Sequence, residues 1–393
     1  MDNTSQYSLR VSDGSFLHHI SISDLLYYLV LIFSVAYFAV LPLRSTQVRH
    51  VIVLGGSIVF YLFAFYRLFR ARYKHSELLR ISIIIIELLG IIVFFPGEIT
   101  ETIYNCLNFF SLYVVLSTDN DIQMTYRKKK CSHLAFVLIA ILLLITARSP
   151  VAYIFEDGKN SGALVLGMTN PNLTAMLIAC VIGLLLIFLP DSRYKWVQII
   201  IVAGLLYLIW KTEARGSILA VGIMVIYAFL VPKFKLRKWM IILPVVASVL
   251  FVPGYLSIFG RNATNAYRFL GKTLFSGRQF IYMRSLELLD NPIRLLFGNY
   301  DAMKFANAHN APLTILCTLG VIGFINSYYS YTKQLISING RATTDSAKIA
   351  IVMILCIYLL SSVESLMFTG VFPSISFMLF YVVLADDFQS SDE

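Results

Sequence analysis

Charge is scarce in this sequence. Asp, Glu, Lys and Arg make up 14% of its 393 residues, where a soluble globular chain carries about 25%. With 58% hydrophobic residues and a mean hydropathy of +0.75, that shortage excludes a soluble enzyme and a disordered chain. Cysteines number only five, Cys106, Cys131, Cys180, Cys317 and Cys356. None has CxxC spacing and none is grouped with histidine, so no zinc site is expected. All five sit within or beside apolar runs and read as small packing residues. The N-terminus lacks the basic region, short apolar core and cleavage site of a signal peptide, so the first hydrophobic run is expected to remain as an anchor. No internal repeat or low-complexity tract is visible, and nothing suggests discontinuous helices. A single membrane domain over 1–393 is the simplest organisation.

Long apolar runs are what the chain has in abundance. Each is long enough to cross a bilayer, which takes about 20 residues. The pattern predicts an all-α polytopic membrane protein with about twelve transmembrane helices, at 24–43, 49–69, 78–95, 101–118, 131–147, 172–189, 196–212, 216–231, 238–259, 311–331, 347–366 and 371–385. Orientation follows the distribution of Lys and Arg. With the N-terminus inside, nineteen basic residues fall in the inner segments and six in the short outer connections. Both termini are therefore expected in the cytoplasm. The net charge of +10 is explained by this placement rather than by nucleic-acid binding.

One segment breaks the charge rule. Residues 260–310 form a long outer-face loop with seven basic residues, Arg261, Arg268, Lys272, Arg278, Arg284, Arg294 and Lys304. Only Glu287, Asp290 and Asp301 oppose them. Within the loop, Ser276-Gly277-Arg278-Gln279 has the form of a helix capping box. The spacing predicts a short amphipathic helix running to about Asp290, where Asn291-Pro292 stops it. Arg278 then lies in the first turn, where a helix dipole disfavours a cation. An arginine beside unpaired backbone N–H groups makes sense as part of an anion site, a phosphate above all.

Three further motifs share that face. Thr212-Glu213-Ala214-Arg215-Gly216-Ser217 joins two apolar runs with almost no loop, holding Arg215 at the membrane interface. Asn170-Pro171-Asn172 opens the sixth span with Asn170 as cap and Pro171 at the first helical position. Ala308-His309-Asn310-Ala311-Pro312 opens the tenth span, with Asn310 capping. His309 falls at the outer rim, where a neutral imidazole can accept a proton from a hydroxyl. Downstream, Leu319-Gly320-Val321-Ile322-Gly323 offers small residues for close helix packing. Two acids lie within apolar runs. Glu364 is at the depth of the other motifs, whereas Glu87 is mid-span and is expected to be buried and paired to another helix.

The segments "TEARGSILAVGIMVI", "SGRQFIYMRSLELLDNPIRLLFGNY" and "AHNAPLTILCTLGVIGF", preceded by "NPNLTA", resemble in order and spacing the O-antigen ligase and polymerase superfamily. The resemblance covers roughly residues 165–385; the first 160 match only in being hydrophobic. It implies a bacterial inner-membrane glycosyltransferase of the GT-C-like type, without a metal or other cofactor. Such enzymes transfer glycans from an undecaprenyl-diphosphate carrier at the extracytoplasmic face. By the same resemblance, Arg215 and Arg278 hold the diphosphate and His309 is the proton acceptor or orients the acceptor. Arg284, Asn310 and Glu364 are candidate substrate contacts. Ala214 stands where a serine is common in the family, which removes any hydroxyl contribution there.

What the resemblance implies is polymerisation of lipid-linked oligosaccharide repeat units into O-antigen, capsular or exopolysaccharide. Expected partners are the lipid-linked glycan, membrane lipid, and a flippase and chain-length regulator of the same pathway. A ligase moving finished polymer to lipid A–core is the alternative within the family. A lipid-linked oligosaccharide flippase is the alternative from another class; it should show repeat symmetry and helices broken near the bilayer midplane.

Overall fold

A computed structural model describes residues 21–41, 47–70, 73–94, 99–117, 126–149, 152–153, 162–168, 170–190, 192–230, 236–259, 268–269, 272–273, 278–299 and 309–363. Among the described residues the fold is all-α apart from one two-residue strand pair, β1 (Arg268–Phe269) and β2 (Lys272–Thr273), which is antiparallel. The helices are α1 (Ile22–Val40), α2 (Gln47–Arg70), α3 (His75–Phe94), α4 (Ile99–Ser117), α5 (Tyr126–Thr146), α6 (Pro171–Phe188), α7 (Lys195–Thr212), α8 (Arg215–Leu230) and α9 (Lys238–Phe259). Then follow α10 (Arg278–Glu287), α11 (Pro292–Phe297), α12 (Ala311–Arg341) and α13 (Asp345–Leu360). Among the described residues, seven helices are long and apolar enough to cross a membrane, which makes this a multi-pass membrane protein. Eleven of the twelve expected spans coincide with helices; the twelfth, 371–385, lies outside the described residues.

Apolar side chains point outward as well as inward. On α2, Val51, Leu54, Ile58 and Leu62 are all exposed, at the three- and four-residue spacing of one helix face. Leu79, Ile86, Leu89 and Val93 repeat this on α3, and Leu219, Ile223 and Ile226 on α8. In water such stripes would drive aggregation, but hydrocarbon is their natural solvent. At the centre lie α6 and α13. On α6 every residue from Thr174 to Phe188 is buried, and α13 packs against α6, α8 and α9. Helices that are apolar all round belong there.

Polar contacts fix which helix ends share a side. Lys128 of α5 makes an ion pair with Asp24 of α1, and Tyr27 and Ser132 share a hydrogen bond of 2.6 Å. His133 Nε2 lies 3.1 Å from Gln198 Oε1, joining the starts of α5 and α7. Asn326 of α12 donates to the Arg80 carbonyl of α3 at 3.0 Å, and Asn339 donates to the Leu236 carbonyl at 2.8 Å. This basic end of the bundle gathers Arg67, Arg70, Arg80, Lys128, Lys195, Lys238 and Arg341, in keeping with the sequence grouping.

The connection between α9 and α12 differs from expectation. The expected short helix is α10, which ends at Glu287; a second helix that was not expected, α11, follows it. Asn291 accepts from Arg294 N–H at 2.9 Å, so Asn291-Pro292 caps and opens α11. Both helices lie against the bundle. Buried Tyr282 of α10 packs with Leu313 and Cys317 of α12, and Cys317 Sγ donates to the Ser285 carbonyl at 3.4 Å. Asn299 N–H donates to the Cys317 carbonyl at 2.6 Å. The segment 278–299 therefore runs along the first half of α12.

It ends where α12 breaks. Gly320 has φ 63 and ψ −170, a conformation open in practice only to glycine. A Cβ on Gly320 would overlap the Leu296 carbonyl, and one on Gly298, itself at φ 87, would overlap the Thr318 carbonyl. The expected unbroken tenth span is thus corrected to two half-helices, their joint filled by the backbone that follows α11. From Ala311 the break lies about 13.5 Å along the helix, close to half of a ~30 Å hydrocarbon core.

Candidate functional site

At the end of the bundle opposite the basic end, four pieces of chain meet. The first is the tight turn between α7 and α8. Glu213 takes a left-handed conformation (φ 57) and its N–H returns to the Trp210 carbonyl. Buried Thr212 accepts from Ala214 N–H at 3.3 Å. The turn needs no further residue, so Arg215 is delivered as the first residue of α8. The expectation of an arginine held where two helices meet with almost no loop is met.

The second piece is the start of α10. Arg278 is its first helical residue and is half-buried. Its Nη1 donates to the Val363 carbonyl at 2.7 Å. The third is the start of α12. Buried Asn310 accepts from Leu313 N–H at 2.7 Å and donates to the Ser362 carbonyl at 2.8 Å. The next residue, Ala311, donates its N–H to the Ser361 carbonyl at 2.7 Å. His309 precedes this cap with φ 43, a left-handed conformation uncommon outside glycine and stored only where the surroundings hold it.

The fourth piece, 361–363, was missed by sequence reasoning. The expected eleventh span, 347–366, instead ends as α13 at Leu360, with Ser361 as its cap. Ser361, Ser362 and Val363 then lend their carbonyls in turn to Ala311, Asn310 and Arg278. Val363 also lies 3.3 Å from where a Cβ on Gly216 would stand. Three consecutive residues therefore touch α8, α10 and the cap of α12. The signal available in the sequence was Ser361-Ser362, a polar pair inside an apolar run.

The sequence-derived residues divide accordingly. Arg215, Arg278, His309 and Asn310 come together around 361–363, within one or two residues of its contacts. Arg284 is exposed, almost two turns along α10 from Arg278, and joins none of these contacts. Glu364 lies outside the described residues, as do Ser276 and Gly277 of the expected capping box. Asn170 caps α6 as expected, accepting from Asn172 N–H at 2.8 Å. Among the described residues no group of three or more His, Cys, Asp or Glu could hold a metal ion.

Glu87 departs from its expected pairing. It is 8% exposed and lies against α12, where a Cβ on Gly323 would overlap its Oε2. Neither carboxylate oxygen has a hydrogen-bond partner among the described residues. It lies well apart from the cluster around 361–363.

Chemically, the cluster offers two guanidinium groups, an imidazole and the first turns of three helices at one end of a bundle. Guanidinium forks and helix N-termini both suit phosphate oxygens. In comparison with known proteins, the chain matches no family model and no curated sequence.

Proposed function

We propose that the chain is an inverting glycosyltransferase of bacterial cytoplasmic membranes that polymerises undecaprenyl-diphosphate-linked oligosaccharide repeat units. The observation that carries this reading is the meeting of Arg215, Arg278 and the His309-Asn310 cap around 361–363. Twelve spans, cytoplasmic termini and an extracytoplasmic site complete the proposal, with the basic end facing the cytoplasm.

A sugar joined through its anomeric carbon to a lipid diphosphate already has a good leaving group. The acceptor hydroxyl attacks that carbon from the face opposite the diphosphate, and the carbon–oxygen bond to the carrier breaks. The hydroxyl proton passes to His309, a general-base role worth about 10²–10⁴ in rate. Negative charge grows on the departing diphosphate, and Arg215 and Arg278 receive it. A fixed donor aimed at developing charge is worth about 2.7–4 kcal/mol. No nucleotide cleft and no metal enters these steps.

The test is polymerisation in vitro with purified lipid-linked repeat units. Products lengthening by whole repeat units support the reading. In a deletion strain, single-repeat glycans indicate a polymerase, whereas full-length polymer left on the carrier indicates a ligase. Movement of the lipid-linked sugar across liposomes without change in length indicates a flippase. The break at Gly320 is a feature a transporter would share, and here it is plugged by the chain's own backbone.

A further inference from the structure

Glu87 is a carboxyl group in the interior of the bundle, about 18 Å along α3 from its start, with no hydrogen bond to either oxygen among the described residues. Burying a charged carboxylate in hydrocarbon without a partner is costly, and intramembrane acids are retained for a task. Two independent features describe its surroundings. One is the break in α12. Gly323, which the carboxylate touches, lies in the first turn of the half-helix that starts after Gly320. The partial positive charge of that turn favours an anion.

The other feature is a polar face on one side only. Ser327 is one turn beyond Gly323 on the same face of α12; it is fully buried and its hydroxyl has no partner among the described residues. Tyr113 of α4 follows, its hydroxyl 3.4 Å from both Asn326 Oδ1 and Ser330 Oγ. Arg80 comes next, its Nη1 3.5 Å from Ser330 Oγ, at the basic end. In the other direction, residues 88–94 of α3 carry no polar side chain. The helices packed against α3 are α4 and α12. Their titratable groups along this seam are Cys106 and Tyr113 on α4 and Tyr328 and Tyr331 on α12; the nearest charged group on α3 itself is Arg80.

We propose that Glu87 is an intramembrane proton-binding site, separate from the cluster at 361–363, that exchanges its proton with the basic end of the bundle along Ser327, Tyr113 and Ser330. The ligand is a proton rather than a metal ion. Close contact with Gly323 leaves little space on that side, the helix N-terminus repels cations, and among the described residues no group of three or more His, Cys, Asp or Glu could hold a metal ion. Proton uptake neutralises the carboxylate while the adjacent half-helix supports the anion, so both forms are accessible. Nothing but a proton is gained or lost.

The test uses the full chain in liposomes and a hydrophobic carbodiimide, which adds to protonated carboxyl groups, followed by peptide mass spectrometry. Glu87 is expected to be modified in mildly acidic buffer and several-fold less in alkaline buffer. A Glu87 that is unmodified at every pH, or equally modified at every pH, overturns the proposal. The route is tested separately in Ser327→Ala by infrared spectroscopy of the protonated carboxyl band during hydrogen–deuterium exchange. Exchange slowed several-fold supports the route toward the basic end, and exchange at the wild-type rate overturns it.

Discussion

Arg278 donates from Nη1 to the main-chain carbonyl of Val363 at 2.7 Å. That bond joins the start of α10 to the chain just beyond α13, at a residue that also lies against Gly216. Arg278 is thereby held as a fixed cation one contact away from the start of α8 and Arg215. A guanidinium carries five N–H donors in a rigid fork, and a bond to one backbone carbonyl orients it without neutralising it.

Replacing Arg278 therefore tests orientation and charge together. Arg278→Ala is expected to lower the polymerisation rate by about 10²–10³, the loss seen when one donor to developing charge is removed. Arg278→Lys keeps the charge but not the fork, and is expected to recover only part of the rate. The measurement is single-turnover polymerisation of a purified lipid-linked substrate. Equal rates in wild type and both variants would remove Arg278 from the reaction.

Asn310 links cap and cluster. Asn310→Asp retains the oxygen that accepts from Leu313 N–H but replaces the donor to the Ser362 carbonyl with a second acceptor. Asn310→Ala loses both. The cap alone is worth about 1 kcal/mol, and a buried carbonyl left unpaired costs about 1–3 kcal/mol more. Thermal unfolding in detergent should rank wild type above both variants. Activity should fall in Asn310→Asp as well, because the cap of α12 would part from 361–363. An Asn310→Asp protein with wild-type activity would show that this contact is dispensable.

Much of this arrangement was legible in the sequence because it is local. Helix caps at Asn170 and Asn310, Arg278 at a helix start and Arg215 in a loopless joint all follow from neighbouring residues. The parts that were missed depend on distant chain. Ser361-Ser362 fell inside the expected span 347–366, since serine is tolerated in membrane helices and nothing local marks the end of α13. Asn291-Pro292 read as a stop, yet a proline that cannot continue one helix is well suited to begin another. Gly320 read as a packing residue. Its break is dictated by the backbone near Leu296, which no local pattern announces. The pairing expected of Glu87 failed for a related reason: α12 presents Gly323 there, not a polar side chain.

His309 combines a backbone and a chemical demand, and two substitutions separate them. Its φ of 43 lies in the left-handed region, which asparagine tolerates better than most residues. His309→Asn is expected to fold with near-wild-type thermal stability, while His309→Ala loses some. Both should lose about 10²–10⁴ in rate if the imidazole is the proton acceptor. A His309→Asn enzyme with normal turnover would assign the position a purely conformational role.

The break in α12 gives the sharpest stability contrast. Gly320→Ala and Gly298→Ala each place a methyl group into a backbone carbonyl and force an alanine into positive φ. Neither obstacle can be relieved by turning a side chain, because the colliding atoms are main chain. Gly222 lies in the middle of α8, and a Cβ added there would meet nothing within 4 Å; alanine is about 1 kcal/mol better than glycine in a helix interior. Expression with a fluorescent C-terminal reporter, followed by size-exclusion chromatography in detergent, measures the difference. Gly222→Ala should accumulate at least as well as wild type, while Gly320→Ala and Gly298→Ala should give little monodisperse protein. A well-behaved Gly320→Ala would mean that α12 can run unbroken, and the backbone following α11 would then have no gap to fill.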